Sequence, residues 1–475
     1  MKNNEVIIKS VFWTLMVALV TLCVYYIVHN AQWFIGDDAV VIRHTGFGRA
    51  FLPNDHLTFN QSSGRFFPLS YLAYDVLLLF NNGYITPKAH YILHSVFFVV
   101  FSLSVTLLLL RMLANQRALY RYLLAFLAFV VFVGRVYPQY TECFATSWCT
   151  YTLMVLFVLC LYLFHETKSW TYAVIALLCI NYSCYCGESY FVLPLSMGVC
   201  ALLFQRRTLT KREKAFNWLL IGSAMLFLAL YAILVLPYIE STYDGAHGTS
   251  VGMLENAFKM LWAQKLLVLA LLLFIVRVVD MVKNKKEYTF YDNLLLTAAA
   301  FCCGNFLLRL NWTLYYNVSA LLALPAILHF SIAYLKEKWT IVLFVLLALL
   351  YGYKIPTTIQ KNQEHRRSAI REITELSNRI DEANAVYLYS PELDSNSFIS
   401  GWRSWGYDAL TTYLGWIRHD PEFSIASRKD FQYEGNTIWM TCKGNKELFP
   451  DNNNMGELMF NSSDILGYYI KAKNE

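Results

Sequence analysis

Charged residues are scarce in this sequence, and their scarcity excludes most soluble proteins. Asp, Glu, Lys and Arg make up 15% of the 475 residues, whereas a soluble domain carries roughly 25%. Hydrophobic residues make up 57% of the chain and aromatic residues 16%. Apolar runs of about 20 residues, the length that crosses a bilayer, recur as far as residue 355. The composition therefore predicts an integral membrane protein.

Two further kinds of feature are missing from the sequence. Most of the 11 cysteines lie within apolar segments and only Cys442 lies in the polar tail, so no disulfide framework is expected. There is no Walker loop and no glycine-rich nucleotide-binding turn, which leaves a cytosolic nucleotide donor or an ATP-driven reaction unsupported. The net charge of +6 does not indicate nucleic-acid binding, because Lys and Arg cluster in short loops between the apolar runs.

The distribution of Lys and Arg orients the chain in the membrane. Lys2 and Lys9 precede the first apolar run, which has no small-residue cleavage site and is expected to be a retained anchor. Every predicted inner loop carries Lys or Arg, which is the positive-inside pattern. We expect a cytoplasmic N-terminus and about eleven spans, an odd number that places the tail outside. The expected spans cover about 10–29, 90–110, 122–137, 148–165, 170–186, 190–204, 216–237, 258–279, 293–308, 317–335 and 339–355.

The sequence predicts an all-α polytopic membrane protein with about eleven transmembrane helices. A small α/β extracytoplasmic domain is expected to follow these helices. Residues 1–356 are expected to form the membrane module and residues 357–475 the soluble domain. The tail is rich enough in aromatic residues to bury a core, which argues against disorder. Its expected elements are helices over 358–383 and 408–416, strands over 385–390 and 437–442, and a strand near Ile470.

The first outer loop, residues 30–89, concentrates polar side chains beside the membrane and includes an interfacial helix within 67–80. It opens with the adjacent carboxylates Asp37 and Asp38. An acidic pair in a loop is most often solvated or caps a helix. Here it lies a few residues beyond a span, where partial desolvation makes a carboxylate a stronger base. We expect one of the two, Asp37 by preference, to remove a proton from a hydroxyl.

Four other ionisable residues are candidates for substrate binding. Glu142 follows the third span, and Glu188 lies in the short hairpin between the fifth and sixth. A carboxylate near the membrane interior is costly and is a functional candidate, the alternative being a loop carboxylate that faces water. Arg309 ends the ninth span on the side that the positive-inside rule disfavours, and Arg65 lies in the first outer loop. Both suit a phosphate group, although snorkelling to lipid headgroups explains Arg309 equally well.

His90 and His94 are one helical turn apart and share a helix face at the start of the second span. Two histidines at this spacing can hold a metal, but the further ligands that a metal needs are not evident. We therefore expect them to make hydrogen bonds within the bundle beside the substrate, and we expect no metal site.

Four pieces of residues 10–205 resemble, in order and spacing, the GT-C class of membrane glycosyltransferases. They are the acidic pair in FIGDDAV, the run GRFFPL with the histidine-bearing ITPKAHYILH, the proline and glutamate of YPQYTECFATSW, and the hairpin CGESYFVLP. The third piece is similar to a segment of the dolichyl-phosphate-mannose-dependent members. Gly187 stands where the class usually has a lysine.

The resemblance implies an inverting transfer of a sugar from a polyprenyl-phosphate carrier to a hydroxyl of a glycan, lipid or protein, as in cell-envelope glycan synthesis. It assigns the general base to the acidic pair, substrate positioning to Glu142 and Glu188, and the carrier phosphate to Arg65 and Arg309. Members that use lipid monophosphate donors need no bound metal, whereas those that use lipid diphosphate donors do. We favour the former, and so expect no cofactor.

Other functions fit the sequence less well. A transporter or flippase for a lipid-linked or small polar substrate is the main alternative, but no internal repeat is visible and the polar residues gather at one membrane edge. A membrane scaffold whose tail binds a partner leaves the polar first loop unexplained. An O-antigen ligase or polymerase usually carries its large outer loop in the later half of the chain. No retention signal ends the sequence, so we expect a bacterial inner membrane.

Overall fold

Helices account for most of the chain, as its apolar runs predict. The protein is described from a computed structural model, and the structure describes residues 2–33, 59–61, 64–70, 72–80, 86–141, 147–239, 265–307, 313–389, 414–420, 423, 426–428, 430–432, 434–442, 456–461 and 465–471. The helices are α1 (Lys2–Val28), α2 (Leu72–Phe80), α3 (Pro87–Met112), α4 (Ala118–Thr141), α5 (Ser147–Thr167), α6 (Trp170–Cys184), α7 (Val192–Phe204), α8 (Lys211–Leu234), α9 (Lys265–Asn284), α10 (Phe290–Leu307), α11 (Thr313–Tyr334), α12 (Glu337–Gly352) and α13 (Lys354–Ile380). Each of the eleven predicted spans contains one of these helices, and α2 is the helix expected within 67–80.

Only some of the described helices are long and apolar enough to cross a membrane. Seven described helical segments are long and apolar enough to cross a bilayer: Asn4–Val28, Pro87–Met112, Ala118–Thr141, Trp148–Thr167, Lys211–Tyr238, Asn317–Tyr334 and Glu337–Ser368. Helix α6 has only 15 residues, which is roughly 22 Å at 1.5 Å per residue and short of the ~30 Å hydrocarbon core. The prediction of about eleven spans is therefore not confirmed.

Helix α4 lies at the centre of the bundle, where it contacts α1, α3, α12 and α13. Its closest approach is to α12. A Cβ atom on Gly134 would lie 2.3 Å from the backbone oxygen of Tyr351, and one on Gly352 would lie 2.9 Å from Val130. Glycines at both contact points let the two backbones approach, which is how helices pack tightly within a membrane.

Charged side chains pair with each other where α9 meets α10 and α11, at the end of the bundle opposite to the junction of α12 and α13. Arg277 is buried, and its guanidinium donates to both carboxylate oxygens of Asp292 at 2.8 and 3.1 Å. Asp280 accepts a hydrogen bond of 2.6 Å from the Tyr334 hydroxyl. Desolvated charges are stable only when they are paired in this way.

The last bundle helix continues beyond its predicted end. Helix α12 stops at Gly352 and α13 starts at Lys354, yet the amide of Tyr353 bonds to Leu349 and that of Thr357 to Tyr353. The helical hydrogen bonds thus pass the junction almost unbroken. The predicted boundary between residues 356 and 357 lies inside α13, and the division into domains stays a prediction.

Two short antiparallel strands, β1 (Phe59–Asn60) and β2 (Arg65–Phe66), pair before α2, and a mixed sheet follows α13. Its strands are β3 (Ala385–Tyr389), β4 (Ala426–Arg428), β5 (Thr437–Cys442), β6 (Glu457–Asn461) and β7 (Ile465–Ile470), in the order β4-β3-β5-β7-β6. Strand β3 runs parallel to β4 and β5, and β7 runs antiparallel to β5 and β6. One face packs its apolar side chains with Leu376 and Ile380 of α13. The strands expected at 385–390 and 437–442 are confirmed. Of the helix expected over 408–416, only 414–416 lies within the described residues, and these are helical.

The close contact between α4 and α12 can be tested at Gly134. We expect Gly134→Ala to lower stability by about 1–3 kcal/mol, the usual cost of overpacking, because its Cβ would meet backbone rather than a movable side chain. The measurement is thermal unfolding in detergent, followed by tryptophan fluorescence. Gly222→Ala in α8 is the matched control, since a Cβ there meets nothing within 4 Å. Equal unfolding temperatures for the two variants would contradict this packing.

Candidate active site at the tail end of the bundle

The tail end of the bundle is the end at which α12 passes into α13. The predicted site residues lie there as far as the structure describes them. His90 and His94 lie in the first turns of α3, Arg65 lies in the short strand β2 (Arg65–Phe66), and Glu188 begins the 3₁₀ turn Glu188–Phe191. Asp37, Asp38, Glu142 and Arg309 lie outside the described residues.

An aromatic cluster surrounds the two histidines, both of which are fully buried. The His90 ring stacks on Tyr74 of α2 with centroids 5.1 Å apart, and it lies 4.9 Å from the ring of Trp33. His94 stacks on Trp148 at 4.5 Å. Trp33 is the last described residue before the loop that carries the acidic pair. The cluster therefore fixes the point from which that loop departs.

Hydrogen bonds define the protonation pattern of His94. Its Nδ1 lies 3.1 Å from the carbonyl oxygen of Tyr140, which can only accept, so Nδ1 carries the proton. Its Nε2 lies 3.0 Å from the Tyr74 hydroxyl, and that hydroxyl also accepts from the indole of Trp148 at 3.1 Å. A neutral imidazole with its proton on Nδ1 donates to the Tyr140 carbonyl and accepts from the Tyr74 hydroxyl, which is left free to accept from Trp148. His94 therefore joins the second and third sequence motifs, and both of its nitrogens are engaged within the bundle.

The second motif also packs against the end of α6, directly before the fourth motif. The amide of Leu69, at the end of GRFFPL, donates to the carbonyl of Tyr185 at 3.1 Å, and the Tyr182 hydroxyl donates to the carbonyl of Leu69 at 3.0 Å. Phe66 is buried against Tyr185 and Phe227. These contacts hold the segment that contains Arg65 beside the hairpin that contains Glu188.

Helix α13 closes the tail end over α1. Arg366 is fully buried, and its guanidinium donates to the carbonyls of Tyr26 and His29 at 2.8 and 3.0 Å. The guanidinium also lies over the Tyr91 ring, 4.4 Å from its centroid. Asn362 donates to the Thr141 hydroxyl at 2.6 Å. The end of α1 is thus capped by a side chain from a distant part of the sequence.

Two cations share one aromatic ring on the other side of α4. The Arg135 guanidinium carbon lies 5.8 Å from the centroid of Tyr351, and the Lys354 ammonium lies 5.4 Å from it. Arg135 is buried and Lys354 half-buried. Within the described residues, no carboxylate pairs with Lys354. The hydroxyl of Tyr351 accepts from the amide of Leu266 at 3.3 Å, which fixes the ring between α12 and α9.

Two solved structures are similar to this chain over nearly all of its length. ArnT from Cupriavidus metallidurans bound to undecaprenyl phosphate has a TM-score of 0.51 and 10% identity, covering 96% of this chain and 97% of that one. The apo state of the same protein gives 0.51 and 10%, over 97% and 98%. The protein has the GT-C fold.

A third solved structure is similar over a smaller share of its own length. The apo oligosaccharyltransferase of Archaeoglobus fulgidus has a TM-score of 0.49 and 12% identity, over 88% of this chain and 64% of that one. No protein-family model and no curated protein matches the chain. The GT-C fold agrees with the resemblance seen in the four sequence motifs.

The packing of α4 against α12 brings together Arg135 and Lys354, two cations that none of the sequence motifs contains. Arg135 stands within an apolar run, and an ionisable residue there is by default a functional candidate. Lys354 ends the last span that the sequence predicts, on the side predicted to be outside, where the positive-inside rule disfavours lysine. Both signals were present in the sequence, but neither indicated that the two side chains meet.

The hydrogen-bonded role of Tyr74 can be tested by removing its hydroxyl. We expect Tyr74→Phe to destabilise the protein by about 1–3 kcal/mol, because His94 Nε2 and Trp148 Nε1 would lose a buried partner. Thermal unfolding in detergent measures the effect. Tyr238→Phe is the control, since Tyr238 is exposed. If both variants unfold like the unmodified protein, the network does not hold the cluster together.

Proposed function

We propose that the protein is a membrane glycosyltransferase that moves a sugar from a polyprenyl-phosphate carrier to a hydroxyl acceptor. The observation that carries this proposal is the pair of cations, Arg135 and Lys354, at the tail end of a GT-C fold. The similar ArnT structure contains undecaprenyl phosphate, and we extend that class of ligand to the present chain.

The cation pair supports a phosphate ligand on electrostatic grounds. Two positive side chains that lie within 6 Å of the same ring centroid repel each other, and the repulsion is strong where water is excluded. Lys354 forms no ion pair with a described carboxylate. An anion bound between the two side chains would relieve the repulsion, and phosphate is the anion that a guanidinium fork and an ammonium suit best. Arg65 and Arg309 stay predictions as further anchors.

The proposed reaction is a single displacement that inverts the anomeric carbon. The acceptor oxygen attacks that carbon and forms the new glycosidic bond, while the bond to the carrier phosphate oxygen breaks. The acceptor proton passes to Asp37 or Asp38. The carrier phosphate leaves with the electron pair of the broken bond, and Arg135 and Lys354 stabilise its added charge. Since two protein cations offset this negative charge, the proposed mechanism needs no metal cofactor.

The remaining predicted residues are assigned supporting roles in this proposal. Glu188 and Glu142 position donor or acceptor, and His90 lines the substrate side of the aromatic cluster beside His94. The contacts of Leu69 with Tyr182 and Tyr185 support a common site, because they hold GRFFPL against the end of α6, directly before the hairpin CGESYFVLP. The acceptor is a glycan, lipid or protein hydroxyl. We propose that the tail end faces the extracytoplasmic side of a bacterial inner membrane, with the N-terminus in the cytoplasm.

Substitution of the acidic pair tests the general base. We expect Asp37→Asn or Asp38→Asn to lower the transfer rate by roughly 10²–10⁴-fold, the usual contribution of a general base, and to leave donor affinity unchanged. The assay supplies purified protein with labelled polyprenyl-phosphate sugar and a membrane glycan extract. Asp55→Asn, in the same loop, is the control. Unchanged transfer by the double variant would disprove the base, and donor binding without transfer by the unmodified protein would favour a transporter.

Substitution of Lys354 tests the phosphate site. We expect Lys354→Gln to weaken binding of undecaprenyl phosphate about tenfold, or about 1.4 kcal/mol, because one of two phosphate-facing charges is lost. Binding is measured by displacement of a fluorescent lipid phosphate in detergent at two salt concentrations. Lys283→Gln, which is exposed near the opposite end of the bundle, should bind like the unmodified protein. Identical affinities for both variants would remove Lys354 from the site.

A further inference from the structure

Several buried polar side chains at the tail end of the bundle have no hydrogen-bond partner among the described residues. Asn305 of α10 is fully buried, and neither its amide oxygen nor its amide nitrogen has a partner among the described residues. The same holds for the hydroxyl of Ser189 in the 3₁₀ turn and for the amide oxygen of Asn317 in α11, both buried. Buried amides and hydroxyls are nearly always bonded in native proteins, so each unbonded one requires an explanation.

Packing places Ser189 and Asn305 at the same level of the bundle. The ring of Phe301, one turn before Asn305, stacks on Tyr190 with centroids 5.6 Å apart. A Cβ atom on Gly304 would lie 3.3 Å from Val192. Helix α10 therefore crosses the 3₁₀ turn where these residues lie, and that turn begins with Glu188.

Asn317 connects this region to the proposed phosphate site. Its amide nitrogen donates to the Tyr151 hydroxyl at 3.2 Å, and Tyr151 is close enough to Arg135 to interact with its charge. Helices α10 and α11 pack closely along their length. The unbonded groups thus belong to elements that connect the hairpin, through Asn317 and Tyr151, with the surroundings of Arg135. A sugar attached to a phosphate bound there would extend among these elements.

We propose that Asn305, Asn317 and Ser189 bind the hydroxyl groups of a neutral donor sugar. Each sugar hydroxyl both donates and accepts, and a primary amide offers one acceptor and two donor hydrogens that match a pair of neighbouring hydroxyls. This proposal rests on the proposed function, because it takes the cation pair as the phosphate site and names the class of sugar that the phosphate carries.

The same proposal has a consequence for stability. Leucine resembles asparagine in size and has no polar side-chain atoms, so Asn305→Leu removes a desolvated amide that no described residue satisfies. Replacing a buried polar group that has no partner by an apolar group of similar shape is neutral or stabilising for the fold. A variant that is more stable and binds sugar less well is typical of a residue kept for binding. A residue that only fills the core would show no loss of sugar binding.

The experiment compares binding of undecaprenyl phosphate with that of undecaprenyl-phosphate glucose, mannose and galactose. For Asn305→Leu and Ser189→Ala, we expect the best-bound sugar carrier to lose about tenfold or more in affinity, with less than about a twofold change for undecaprenyl phosphate. The unfolding temperature of Asn305→Leu should equal or exceed that of the unmodified protein. Ser331→Ala, which removes another buried and unbonded hydroxyl far from the hairpin, is the control and should change neither affinity.

The outcomes separate this proposal from the proposed function. If the variants bind sugar carriers as tightly as the unmodified protein, or lose affinity for both ligands alike, the sugar site is wrong while the phosphate site stands. Ordered water alone on Asn305 in a sugar-bound structure would also overturn it. If the unmodified protein does not bind undecaprenyl phosphate at all, the proposed function itself fails.

Discussion

The contact between Arg366 and the end of α1 is the interaction on which the tail end depends. The last carbonyls of a helix have no partner within the helix, and lipid supplies none. Arg366 provides one by donating to the carbonyls of Tyr26 and His29, and it covers Tyr91 at the same time. It therefore fixes α13, which leads to the sheet, against α1, which leads to Asp37 and Asp38. The end of α1, from which the chain continues to the acidic pair, and the helix that leads to the sheet are thus held together.

The two ends of the bundle hold charged side chains differently, and the difference supports the proposed place of the chemistry. Near the far end, Arg277 is paired with Asp292, so the charges satisfy each other and stabilise the junction of α9 and α10. At the tail end, Arg135 and Lys354 share the Tyr351 ring, and the amide of Asn305 has no partner among the described residues. Paired charges suit a structural role, whereas two cations beside one ring, with no described carboxylate on Lys354, support the proposed binding of an anion.

The sequence predicted the helices and strands better than the contacts between them. Apolar runs located the helices, and the aromatic stretches AVYLYS and TIWMTC located β3 and β5, because both signals are local. The continuity of α12 and α13 was missed, since a change in polarity near residue 356 resembles a domain boundary although the helical hydrogen bonds continue across it. The convergence of Arg135 with Lys354 could not be predicted, because it depends on how α4 packs against α12. The roles of Asp37, Asp38, Glu142 and Arg309 rest on the sequence alone.

Glycine packing explains why the cations meet at all. Gly134 precedes Arg135 directly, and its contact is the backbone of Tyr351, the residue whose ring both cations share. Gly352, which faces Val130, lies between Tyr351 and Lys354 in the chain. Larger residues at either glycine would separate the helices or shift their register, and a shift of one residue turns a helical side chain by roughly 100°. The small residues thus do more than stabilise the bundle, because they set the register that holds two positive charges beside one ring.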